Sequence, residues 1–248
     1  MADSNDSKNG TVEEKFADDP QTFTFEHFFS DLRDLMVKPK EIAPRLADAP
    51  YNPIFLASFF MTGISMGMRK IIASNGLLDL VAGTGKVAKT QSIVELGQRD
   101  ASLITAMFIP FIIIIAWYIA SFAINWISEK FGGFNGSYGD IKSVLGYMGV
   151  LLMFFDFIML IMFVVGHILG VGFIGVIVNL LYWIFGIWML YIGTMCTESI
   201  YGMPMSYSGI VFIGVILSML LFYYIVINLV CEQFILSEMM KGKYEIRR

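Results

Sequence analysis

Between Val144 and Met195 the chain runs 52 residues without a lysine or an arginine. As one helix that stretch would extend about 78 Å, against roughly 30 Å of hydrocarbon in a bilayer. It must therefore fold back on itself. The segment "GHILGVGFIG", with four glycines and His167, supplies the turn, so two membrane spans are expected, at about 144–165 and 173–195.

Three more apolar runs satisfy the same length requirement. "IFLASFFMTGISMGMRKII" gives a first span over about 54–72, opened by Pro53, a residue suited to a first helical turn. Arg69 and Lys70 lie near its end and are expected to reach the headgroups while their stems stay in the apolar layer. "SLITAMFIPFIIIIAWYIASFAINWI" gives a second span, 102–127, with Pro110 near one end, where lipid-embedded helices tolerate a kink. "GIVFIGVILSMLLFYYIVINLVC" gives a fifth, 209–231. Only 15% of the residues are charged, against about 25% in soluble domains. The expected fold is all-α, a polytopic bundle of five transmembrane helices in a multi-pass integral membrane protein.

The remaining segments are polar. Residues 1–22 are acidic, with little apolar surface to offset ordering, and are expected to be a disordered tail; no signal-peptide pattern stands there. Residues 23–50 form an amphipathic interfacial helix and connector, 51–236 the membrane domain, and 237–248 a polar C-terminal tail. Within "HFFSDLRDLMVKP", Phe28, Phe29, Leu32, Leu35 and Met36 recur on one face of a 3.6-residue period. That face either covers the bundle or headgroup layer or docks a cytoplasmic protein. Residues 39–53 read as a turn-rich connector. The loop 74–101 contains "GTGK" without the full phosphate-loop spacing, and is expected to be re-entrant or to lie on the surface. Ser137 or Asp140 is placed to cap the helix entering the third span.

Asp156 is the exceptional residue, a carboxylate near the centre of the third span. Placing it there costs about 2.5–3.5 kcal/mol on insertion scales, so it must face the bundle interior, be protonated or line water. Asn179 and Asn228 are candidate polar neighbours from the fourth and fifth spans. His167 follows eleven residues later, too far along a helix for direct proton transfer. Two readings stand: interhelical pinning, or a small transporter or channel subunit using Asp156. Glycines four apart, Gly63 with Gly67 and Gly166 with Gly170, allow helices to approach closely. Such surfaces suit association with copies of the chain or with other membrane proteins.

Other chemistry is poorly supplied. There are two histidines and two cysteines, Cys196 and Cys231, and no metal-ligand spacing or catalytic motif; neither cofactor nor enzymatic activity is expected. The cysteines read as small buried hydrophobes. No basic cluster is dense enough for nucleic acid. Seventeen methionines read as apolar filler.

The layout as a whole resembles the Yip1 domain family of five-span membrane proteins, over about residues 25–235. The resemblance is carried by the amphipathic "FFSDLRDLMVKPKEI", the five spans, and "GGFNGSYGDIKSVLGYMG" before the third. The aspartate–leucine–tyrosine–glycine–proline leader of eukaryotic members is replaced here by "DLMVKP". For a eukaryotic member the resemblance implies Golgi or ER traffic with prenylated Rab-type GTPases. For a prokaryotic one it implies the plasma membrane, with no established activity. It also implies a cytoplasmic N-terminus. The charge count leans the other way: Arg33, Lys38, Lys40, Arg45, Lys130 and Lys142 face nine basic residues on the opposite side.

Overall fold

The computed structural model describes residues 25–47, 52–73, 93–169 and 173–226, together with Gln233 and Ser237. Among the described residues seven helices are placed in order: α1 (Phe25–Val37), α2 (Pro39–Leu46), α3 (Asn52–Ala73), α4 (Ile93–Lys130), α5 (Tyr138–Ile168), α6 (Phe173–Tyr201) and α7 (Met205–Tyr224). The protein is an all-α polytopic bundle; no sheet occurs among the described residues. Five of the helices are long and apolar enough to cross a membrane: Pro53–Ile72, Ile104–Lys130, Tyr138–Gly166, Phe173–Tyr201 and Met205–Tyr224. The expected tails (1–22 and most of 237–248), Asn228, Gly170, Cys231 and the "GTGK" segment lie outside the described residues.

The helices differ from the sequence expectation chiefly at their ends. The supposed connector after residue 38 contains α2, because Pro39 sits at its first position and needs no amide partner there. Residues 93–101, expected to be re-entrant or surface-lying, extend α4 instead, so Pro110 stands near the middle of a 38-residue helix. The third span begins earlier than 144 because Ser137 and Asp140 form a reciprocal cap. The Asp140 carboxylate accepts from the Ser137 amide at 2.7 Å, and Ser137 Oγ accepts from the Asp140 amide at 3.3 Å. The turn from α6 to α7 uses Gly202 at φ +65°, its amide donating to the Glu198 carbonyl at 2.9 Å. Glycine adopts that left-handed conformation without the steric cost of a side chain.

Two interfaces set the bundle. Phe55 and Phe59 of α3 fill spaces against Gly146 and Gly149 of α5, and farther along Ser65 comes 3.5 Å from the Asp156 carbonyl. The order of these contacts makes α3 and α5 parallel. Gly63 and Gly67 lie on another side of α3, against Pro110 and Ala106 of the antiparallel α4. An aromatic cluster closes the centre: Phe59 stacks on Trp117 at 4.9 Å, and Tyr147 meets Phe55 at 5.1 Å and Phe28 at 5.3 Å.

The amphipathic α1 is used mostly inward. Phe28, Leu32 and Leu35 are buried against the bundle, while Phe29 and Met36 stay exposed. The face expected to dock a partner is thereby divided, since three of its five residues already have their packing partners within this chain. α2 is pinned to the end of α6 by an ion pair from Lys40 to Glu198 at 2.6 Å. Ser199 adds a hydrogen bond to the Lys40 carbonyl at 2.7 Å. Cys196, buried and unbridged, lies 3.6 Å from the Pro39 carbonyl. α1 and α2 therefore mark one face of the bundle, and the ends of α3, α5 and α7 lie toward the other.

Candidate functional site: an ion pair inside the bundle

On α3 the residues Ser58, Thr62, Ser65 and Arg69 recur at helical spacing and share one side. The first three are buried. On α5, Gly146, Gly149 and Asp156 likewise share a side, turned toward α3. The parallel register of the two helices then carries Arg69 to the level of Asp156. The Arg69 guanidinium donates through Nη2 to Asp156 Oδ1. Arg69, expected near the end of its span, turns inward to Asp156: its side chain is 19% exposed and that of Asp156 0%. A neighbouring carboxylate in a low-dielectric interior holds the cation more strongly than a distant water layer can.

α6 completes the arrangement. The Tyr182 hydroxyl donates to the same Asp156 Oδ1 at 2.5 Å. Its ring lies under the Arg69 guanidinium, Cζ 4.6 Å from the centroid, within the range of a cation–π contact. Phe155 meets the Tyr182 ring edge-on at 5.3 Å and stacks on Phe185 at 3.9 Å, which fixes α6 against α5. One carboxylate thus ties together three spans. Asp156 Oδ2 and Arg69 Nε have no hydrogen-bond partner among the described residues.

The other candidate residues are dispersed. Asn179 is one helical turn before Tyr182 and exposed; it lines a cavity of about 310 Å³ with Arg69, Lys70, Phe163, Gly175, Val178 and Tyr182. Asp156 is not among the lining residues. His167 belongs to α5, one residue before its end. Gly166 of α5 packs against Ile174 of α6. Sequence reasoning missed Arg69 and Tyr182 as partners of Asp156. The spacing of Ser58, Thr62, Ser65 and Arg69 was the available signal for Arg69; Tyr182 carried none beyond its hydroxyl. Among the described residues no group of three His, Cys, Asp or Glu side chains could hold a metal ion.

A second polar cluster lies at the α1–α2 face. Asp31, buried on α1, pairs with Arg45 of α2 at 3.3 Å and accepts a long 3.4 Å contact from the Tyr147 hydroxyl. Burial raises the Asp31 carboxyl above its ordinary 3.8, with Arg45 and Tyr147 opposing the rise. Docked α1 consequently holds the Asp31 proton more tightly than undocked α1. This contribution to docking is full below pH 3.8 and is lost as pH rises through the raised value. Hydrogen exchange, corrected for intrinsic rates, should show α1 amide protection declining from pH 4 toward neutrality, and Asp31→Asn should flatten the profile. Protection that increases over this interval would contradict the assignment.

These features define a class: a polytopic helical membrane protein whose spans are tied by a buried ion pair and whose N-terminal helices dock on one face. Comparison with protein families narrows it. The Yip1 domain matches residues 33–233, and the chain belongs to that family. No curated protein and no solved structure matches.

Proposed function

We propose that this Yip1-family protein is a non-enzymatic membrane scaffold or assembly factor, working through lateral helix contacts and through a cytoplasmic partner at the α1–α2 face. The reading rests on Asp156. Its charge is met within the chain by Arg69 and Tyr182, as suits a residue that holds helices together. A proton carrier would instead exchange with water, and Asp156 is fully buried. Surfaces for association are plentiful. α6 exposes Phe173, Val176, Leu180, Trp183, Ile184 and Ile187 along one stripe, and α1 exposes Phe25, Phe29, Met36 and Val37.

The second reading, a small transporter using Asp156, is favoured by the cavity that reaches both of its partners. Reconstitution separates the two. Proteoliposomes with a pH-sensitive dye should show wild-type proton flux equal to that of empty vesicles, with Asp156→Asn unchanged. Flux above the empty vesicles that disappears in Asp156→Asn would replace the scaffold with the transporter.

A further inference from the structure

The cavity beside the ion pair has features that helix pinning does not require. Gly175, Val178, Asn179 and Tyr182 lie on one side of α6 at helical spacing and form one wall. Arg69 and Lys70 of α3 and Phe163 of α5 form the rest. A Cβ built on Gly175 would meet nothing within 4 Å, so the glycine leaves the space open without serving close helix packing. The volume of about 310 Å³ is at the lower end of small-molecule sites, roughly 300–1,000 Å³. Its lining residues include two cationic side chains, an amide and a phenol. A guanidinium carries five N–H donors, and only part of this capacity is taken up by Asp156, with Nε unpartnered among the described residues.

Its depth is equally informative. Arg69 and Lys70 come within the last turn or so of α3, which ends at Ala73. Gly175 is in the first turn of α6, which begins at Phe173. The cavity therefore sits toward the helix ends on the face opposite α1 and α2. Basic pockets between membrane helices near the headgroup layer bind anionic headgroups, and guanidinium geometry matches phosphate oxygens.

We propose that the cavity between α3, α5 and α6 binds a phosphate-bearing anion, held by Arg69 and Lys70 with Asn179 and Tyr182 as polar lining. Arg69 then serves two anions, Asp156 inside and the phosphate outside, and bound anion reinforces the α3–α6 contact. The inference does not depend on the scaffold reading, since it concerns a ligand and not a partner.

The test uses the full chain purified in neutral detergent and titrated with phosphatidylglycerol, phosphatidylcholine or inorganic phosphate. Native mass spectrometry and thermal unfolding are the readouts. Lys70→Gln removes a cation without touching the Asp156 pair, and Gly175→Leu fills the cavity without changing any charge. Phosphatidylglycerol should bind at least fivefold more tightly than phosphatidylcholine and raise the melting temperature, and each variant should lose most of that preference. Competition by millimolar inorganic phosphate would identify a free phosphate compound as the ligand; none would identify a lipid headgroup. Equal binding of the two lipids with no effect of phosphate overturns the proposal, as does an anion preference unchanged in Gly175→Leu.

Discussion

Replacing Asp156 with leucine is expected to destabilise the bundle by about 3 kcal/mol, the lower end of what breaking a buried ion pair costs. The substitution strands the Arg69 guanidinium and removes the acceptor of the Tyr182 hydroxyl. The lower end applies because Arg69 is 19% exposed and borders the cavity, so it regains some hydration. Asp156→Asn keeps an acceptor for Tyr182 and should fall between leucine and wild type. Adding Arg69→Met to Asp156→Leu should recover most of the loss, since well-packed apolar replacements of a buried pair are often neutral or stabilising. Thermal unfolding in detergent gives the order. A leucine variant as stable as wild type, or a double variant no better than the single one, would show that the pair does not hold the spans.

The second large effect is expected at Gly63. A Cβ there would lie 2.8 Å from Pro110 N and closer still to Pro110 Cα. Those are backbone atoms of α4 and cannot rotate aside, so α3 and α4 must separate. Overpacking of this kind costs about 1–3 kcal/mol for added methyl groups. Gly63→Ala should lose that much, and Gly63→Leu should fail to yield a monodisperse protein. Gly214 is the internal control, because a Cβ there meets nothing within 4 Å. Gly214→Ala should leave the melting temperature unchanged or raise it slightly, given the helix preference of alanine. If Gly63→Ala behaves like Gly214→Ala, the close approach of α3 to α4 is refuted.

The five spans were legible from the sequence because they are written in local composition, and the resemblance to the Yip1 family, which the match over residues 33–233 bears out, was carried by the layout and by the segments before the first and third spans. An apolar run long enough for a bilayer has few alternatives, and the cap formed by Ser137 and Asp140 uses residues three apart. Helix ends were less legible. α2 hides in a stretch with prolines at 39 and 44, and α4 extends into a polar segment, since neither end is marked by a change in hydropathy. The inward use of α1 was open for a related reason: amphipathic spacing says that one side is apolar and leaves unspecified what covers it.

The site shows the same division at longer range. A carboxylate among apolar residues announced that Asp156 needed a partner, whatever the fold. Which partner it took was a matter of register. Arg69 is 87 residues away in the chain, and it reaches Asp156 only because α3 and α5 run parallel with their glycine and aromatic contacts in step. By itself the sequence determined the solvent, the number of crossings and the demand for a counter-charge, all set by side-chain hydration free energies. Only the tertiary structure decided which side chains meet, because helix register depends on the summed shape of two packed surfaces and no single residue carries that information.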